Sequence, residues 1–313
     1  MRRGTLIIGA AGMIGRKLVE RLSGQGKGAE LTLHDVVPFE STHKAIVSDL
    51  STPGEAERLV AARPGLIFHL AAVVSGEAEA DFDKGYRVNL DGTRALLEAI
   101  RALDGYRPRL VLASSIAVFG APLPNPIPED FATLPLTSYG TQKAIDELLL
   151  NDYTRRGFVD GIGIRLPTIC IRPGAPNKAA SGFFSNILRE PLVGREAVLP
   201  VPETVRHWHA SPRSAVGFCL RAATIDTEQI GPRRTLSMPG LSATVGEQIE
   251  ALRRVGGEEA VRLIRHEPDP DIMRMIEGWA AALDAGRAER LGFVAEKSFD
   301  EIIRVHLEDE LHR

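Results

Sequence analysis

No apolar stretch in this chain approaches the roughly 18 residues that a membrane-spanning helix needs, so the sequence predicts no transmembrane segment and no membrane partner. A basic surplus is missing as well. The 38 Lys and Arg stand against 41 Asp and Glu, a net charge of -3, which leaves no electrostatic footprint for nucleic acid. Cysteine is nearly absent: Cys170 and Cys219 are the only two, and in such a composition they are expected as small buried side chains, not as a disulfide or a nucleophile. The chain enters a strand at Thr5 without the leader of a signal peptide, from which a cytoplasmic location is expected. What is present, 44% apolar and 25% charged residues, is the balance of a globular protein. Its 313 residues allow one large α/β domain or a nucleotide domain with a smaller partner, and the second is preferred.

Strand-like and helix-like segments alternate along the first half. Leu6-Ile7-Ile8, Leu31 to His34, Leu66 to Leu70, Leu110 to Ser114 and Ile162 to Arg165 read as strands. Ile14 to Leu22, Leu90 to Leu103 and Ser138 to Tyr153 read as helices. Such alternation predicts a doubly wound parallel sheet, covered on both faces, over residues 1–171. From Arg172 onward Pro and Gly become frequent and the alternation breaks into short segments. Residues 172–313 are therefore expected to form mainly a smaller α/β substrate-binding region, interleaved with the first, with Ala281 to Arg313 as helical packing.

Gly9-Ala-Ala-Gly12-Met13-Ile14-Gly15 lies between the first strand and the first helix. Glycines there let the backbone approach a pyrophosphate, whose charge meets the amides of Met13 and Ile14 and the positive end of the helix dipole. Gly15 permits close helix-strand packing. Asp35 ends the second strand, where a carboxylate accepts hydrogen bonds from ribose hydroxyls and repels a 2'-phosphate, so the expected cofactor is NAD. Asp49-Leu50 follows another short apolar run. Asp49 either accepts from the adenine amino group or caps a helix before Pro53.

Tyr139 and Lys143 stand four apart in a helical stretch and so share one face. A tyrosine with its free pKa of about 10 is a poor base at neutral pH; lowering it by roughly three units takes about 4 kcal/mol of preferential phenolate stabilisation, which an adjacent ammonium and a positive nicotinamide ring supply together. Tyr139 is then the base that takes a hydroxyl proton, Lys143 its tuner and ribose contact, and Ser115, past a strand end, the hydrogen-bond partner of the substrate oxygen. Ser114 competes with Ser115 for that role. The three together point to hydride transfer from an alcohol.

These motifs resemble the extended short-chain dehydrogenase/reductases of the epimerase/dehydratase superfamily. The likeness runs through the glycine turn, His69-Leu-Ala-Ala72, Val88-Asn-Leu-Asp-Gly-Thr93, Ser114-Ser-Ile-Ala-Val-Phe-Gly120, Tyr139 with Lys143, and Arg165-Leu-Pro-Thr168. It implies that Ala71 and Ala72 line the adenine-ribose side of the cofactor, that Asn89 supports the active-site helix, and that Pro167 and Thr168 lie near the nicotinamide amide. Family members often pair two such helices, so Asn89 to Leu103 and Ser138 to Tyr153, with Leu148-Leu-Leu150, imply a homodimer.

Within the family, Ala72-Val-Val-Ser-Gly-Glu-Ala-Glu-Ala-Asp-Phe82, Leu149 to Asp160 and Arg172-Pro-Gly-Ala-Pro-Asn177 resemble the D-erythronate dehydrogenase group. That resemblance implies NAD-dependent oxidation of a small sugar acid to its 2-oxo acid. Such a substrate requires a cation for its carboxylate, for which Arg172 and Arg213 are the candidates, Arg213 without an obvious acidic neighbour. Ser75, Asn177 and His207 are candidates for its hydroxyls. His207 and His209 fall on one strand face, and with no third ligand nearby no metal is expected. Two other readings stay open: a nucleotide-sugar 4-epimerase or dehydratase with tightly held NAD, and a dinucleotide-sensing protein without turnover.

Overall fold

The computed structural model of the protein describes residues 4–24, 30–174 and 181–312. Seven strands form the main sheet: β1 (Thr5–Ile8), β2 (Leu31–Asp35), β3 (Lys44–Val47), β4 (Leu66–His69), β5 (Arg109–Ser115), β6 (Asp160–Leu166) and, after three strands that lie elsewhere, Thr235–Ser237. The three are β7 (Thr168–Ile169), β8 (Ala197–Leu199) and β9 (Arg206–Ala210), which makes Thr235–Ser237 β10; β11 (Leu241–Thr244) and β12 (Ile264–His266) follow. The main sheet runs β10-β6-β5-β4-β1-β2-β3, every pairing parallel.

Alternation along β1 shows why its residues are uniformly apolar. Ile7 faces a core with Leu33, Phe68 and Val111 under the Met13–Ser23 and Pro212–Thr224 helices, while Leu6 and Ile8 face the opposite core with Ile67, Leu96, Ile100 and Leu150. A strand buried on both sides cannot afford a polar face. After β3 the chain crosses to the other side of β1 and starts β4, which puts the switch in strand order between β1 and β4. Open parallel sheets bind ligands outside the carboxyl ends of the strands at such a switch.

The rest of the chain builds a smaller α/β unit: β7 parallel to β9, β9 antiparallel to β11, and β8 parallel to β12. The Gly182–Leu192, Val245–Gly256 and Phe299–His306 helices pack on it around Phe184, Leu188, Ile249, Leu252, Ile302 and Ile303. Between the two visits, the Pro212–Thr224 helix and β10 return to the main sheet, so the two layers are interleaved in sequence. Among the described residues no helix is long and apolar enough to cross a membrane. Cys170 and Cys219 are free and buried, with burial pushing both thiols up to about 12.

Candidate active site

The glycine turn leaves β1 with Gly9 at φ +91°, a conformation that favours glycine, and a Cβ there would lie 2.5 Å from the Ala71 amide nitrogen. At Gly15 a Cβ would meet the Gly9 carbonyl at 2.1 Å, so the helix can seat on the turn only without one. Gly12 is the N-cap, no side chain caps the first-turn amides, and no acid sits in the first turn. Amides left in this state at a positive dipole end suit a pyrophosphate. Asp35 reaches over the turn: its Oδ2 accepts from the Ala11 amide at 2.9 Å and its Oδ1 from Val37 at 3.2 Å. These features fit a bound dinucleotide.

Beyond β4, Ala71 and Ala72 are half-buried at the strand's carboxyl end, and the next residue is pinned. The buried Asn89 accepts from the Val73 amide at 2.7 Å, donates to the Val73 carbonyl at 2.9 Å, and donates to Gln142 Oε1 at 2.7 Å. Gln142 lies between Tyr139 and Lys143 on the Ser138–Arg155 helix, so one amide side chain fastens the strand loop to that helix. Asp49 is held by local partners. It accepts from the Ser51 amide at 2.9 Å and hydroxyl at 2.6 Å and pairs with Arg87; burial pushes its carboxyl up, but these partners together hold it below the usual range. The helix that follows is capped by Gly54, which removes the capping alternative for Asp49. Leu50 is buried in the core beside Gly92.

Thr137 caps the Ser138–Arg155 helix by accepting from the Gly140 amide at 3.0 Å. Gly140 lets the helix press against the turn after β5, since a Cβ there would sit 2.2 Å from the Ala117 carbonyl. Ser115 ends β5 and accepts from the Ala117 amide at 3.1 Å, which leaves its hydroxyl proton for another acceptor. Ser114 turns inward and donates to Glu147 at 2.6 Å, within a buried group where Arg165 also donates to Glu147 at 2.7 Å. Of the two serines, Ser115 is the one whose hydroxyl proton is uncommitted among the described residues.

Lys143 is 2% exposed, with Nζ 3.7 Å from Asp146 Oδ2. Nearby, His69 Nε2 lies 2.9 Å from Thr93 Oγ1, whose hydroxyl donates to the Asn89 carbonyl at 2.6 Å. Burial, then the Lys143 charge, push His69 down to about 3, so the ring is neutral. Ser75 opens a short helix, Ser75–Ala80, that docks on the Ser138–Arg155 helix through Glu79, which accepts from the Ser138 amide at 3.0 Å.

The opposite wall comes from β7, β9 and the segment after Ile171. Thr168 Oγ1 lies 2.7 Å from His207 Nε2. His207 stacks on Phe184 and contacts Trp279, with burial driving it down to about 4. His209, on the same face as expected, is buried beside Gln248 and also pushed well down by burial. His207 thus touches Thr168 and backs it. Arg172 donates to the Ile169 carbonyl at 3.1 Å and the Ser181 hydroxyl at 2.8 Å, and among the described residues no carboxylate pairs with it. Burial pulls its guanidinium below the usual value, and Tyr139 lies within its electrostatic reach.

Arg213 is a correction. It is half exposed and bound by Glu308 at 2.8 Å and Asp309 at 2.5 Å, and these partners raise it further. The acids come from the C-terminal segment, so its neighbours in sequence gave no sign of them. Asn177 lies outside the described residues. Sequence reasoning singled out none of Gln142, Glu79, Thr93 and Asp146: Gln142 lies between Tyr139 and Lys143, Glu79 and Thr93 lie inside segments noted only for their family likeness, and Asp146 lies in none.

The sequence profile of the NAD dependent epimerase/dehydratase family matches residues 5–209. A D-erythronate dehydrogenase of Cupriavidus necator is 47% identical over 97% of this chain and 98% of its own length. Its counterpart in Haemophilus influenzae is 40% identical over 98% and 99%. Among solved structures, a nucleoside-diphosphate-sugar epimerase of Agrobacterium tumefaciens superposes with a TM-score of 0.95 at 69% identity, covering 99% of this chain and 95% of that one.

Proposed function

The chain belongs to the NAD dependent epimerase/dehydratase family, and from that premise we propose that it is an NAD-dependent dehydrogenase oxidising D-erythronate, or a closely similar small hydroxy acid, to the 2-oxo acid. The observation that carries the substrate reading is Arg172, a half-buried cation near Tyr139 with hydroxyl and carbonyl neighbours and no acid among the described residues. A guanidinium desolvated in this way favours an anion, and a carboxylate matches its fork. The two D-erythronate dehydrogenase relatives, similar over their full lengths, support the same reading.

In this scheme Arg172 holds the carboxylate and sets the adjacent hydroxyl-bearing carbon between Ser115 and Tyr139. Ser115 donates to the substrate oxygen and Tyr139, as phenolate, takes its proton. Lys143 stabilises the phenolate and holds the cofactor ribose, Asn89 keeps Lys143's helix aligned with the Ala71-Ala72 loop, and Thr168, backed by His207, lines the far wall. Gly9, Gly12, Gly15 and the amides of Met13 and Ile14 hold the pyrophosphate, and Asp35 the adenosine ribose. Bound NAD+ supplies the acceptor for the hydride that leaves the same carbon. Two copies pair through the Gly92–Arg101 and Ser138–Arg155 helices, the second of which leaves Leu148 68% exposed.

The test is NADH formation from NAD+ with D-erythronate, L-threonate and L-threonine, run beside a UDP-sugar epimerisation assay. D-erythronate is expected to turn over fastest. The Agrobacterium relative's name points to the other reading, and turnover of UDP-sugar alone would replace the sugar acid as substrate.

A further inference from the structure

The Ser138–Arg155 helix carries a second acid that nothing above has used. Asp146 is fully buried, and neither carboxylate oxygen has a hydrogen-bonded partner among the described residues. Among the described residues the one cation it meets is Lys143, Nζ to Oδ2 3.7 Å. Around it stand Thr93 of the Gly92–Arg101 helix, with neutral His69 of β4 behind that hydroxyl, and Glu147 on its own helix. Glu147 is already occupied by Arg165 and Ser114. A carboxylate without donors in an apolar interior is costly, and so is a lone buried ammonium, which in such surroundings gives up its proton.

We propose that Asp146 is the internal counter-charge of Lys143, a positioning residue that keeps the lysine an ammonium before the cofactor binds and so keeps Tyr139 usable as a base. The second half of this statement rests on the function proposed above; the first does not. Burial pushes the Asp146 carboxyl up to about 7, the Lys143 charge opposing. The pair is therefore complete above neutrality and dissolves on acidification, as Asp146 takes up a proton.

The charge pair is tested without substrate or cofactor, by melting the full-length wild type, Asp146→Asn, Lys143→Met and the double variant at pH 8 and pH 5. Expected at pH 8 is a loss in the double variant clearly smaller than the sum of the two single losses, because each single change orphans a buried group. That shortfall should shrink at pH 5. Additive losses at both pH values overturn the pair. The catalytic half is read from the pH profile of kcat/KM: Asp146→Asn should move the acid limb up by about one unit, tenfold at the limb, and recover rate at high pH. An unmoved limb, or one moved down, overturns it, since a structural defect lowers the whole curve without shifting it. Should Asp146→Asn not fold, infrared titration of wild type against Lys143→Met decides the pair: the buried carboxylic acid is expected to lose its proton at lower pH in the wild type, and equal midpoints overturn the proposal. Failure of D-erythronate as substrate leaves the melting and infrared outcomes intact.

Discussion

The two walls of the cleft are assembled differently. On the side of the main sheet, Gly9, Asp35, Ala71 and Ser115 each stand at the carboxyl end of a strand of one parallel sheet, and Tyr139 and Lys143 stand one turn apart on one helix. On the opposite side, Thr168, Arg172 and His207 arrive from β7, the segment after it, and β9, joined by hydrogen bonds across 39 residues of chain for Thr168 and His207. The first wall is dictated by local rules: a strand end, a glycine, a helix start. The second exists only after the smaller unit has packed. Chemistry common to a family suits the first kind of construction, and substrate choice suits the second.

Mutations on the two walls should separate rate from selection. Tyr139→Phe, which removes the base and little else, is expected to lower kcat by about 100-fold or more while NAD binding followed by fluorescence stays near wild type; retained turnover would take Tyr139 out of the role. Across the cleft, Arg172→Ala should cost about ten- to a hundredfold in kcat/KM for D-erythronate, the loss of charge-assisted hydrogen bonds. Arg213→Ala serves as its control and should stay within about twofold, because that side chain is committed to Glu308 and Asp309 at a half-exposed site. Equal losses in the two variants would erase the distinction drawn between the arginines. The smallest effect is expected at the outer rim, where Asp35→Ala should shift the NAD over NADP ratio by about five- to tenfold, and an unchanged ratio would remove Asp35 from the ribose site.

The same contrast explains what the sequence revealed. The strand from Leu6 to Ile8, the turn at Gly9 and Gly15, and the acid at Asp35 are contiguous, so periodicity and spacing located them. Thr5–Ile8 and Leu31–Asp35 are the strands observed. The fold class and the order of elements were legible for this reason. Arg213 was not, since its acids lie 95 and 96 residues away. The Ser138–Arg155 helix misleads in another way: Gln142, Lys143, Asp146 and Glu147 are buried while Leu148 is exposed. A polar run that reads as a solvated face is the inner face here, because the residues pair with one another, with Asn89 and with Arg165. At the two edges of the sheet the signal was weaker: β3, mostly exposed, showed only as the short apolar run before Asp49, and β10 has three residues.

The uncharged histidines have a consequence for the whole molecule under acid. His69 and His207 are held at about 3 and about 4, and His209 well below its ordinary 6.5, each chiefly by burial. The unfolded chain therefore binds protons between pH 6.5 and roughly 4 that the native chain refuses, and unfolding becomes a proton-consuming reaction in that window. Stability must fall as pH drops through it. Asp146, raised from 3.8 to about 7, and Glu129, also raised by burial, work with the opposite sign over much of the same range, but these two acids stand against five histidines, since burial lowers His34 and His306 as well. A melting temperature that declines from pH 6.5 to 4 is the expected record, and a flat one would mean that the imidazoles are charged where they sit.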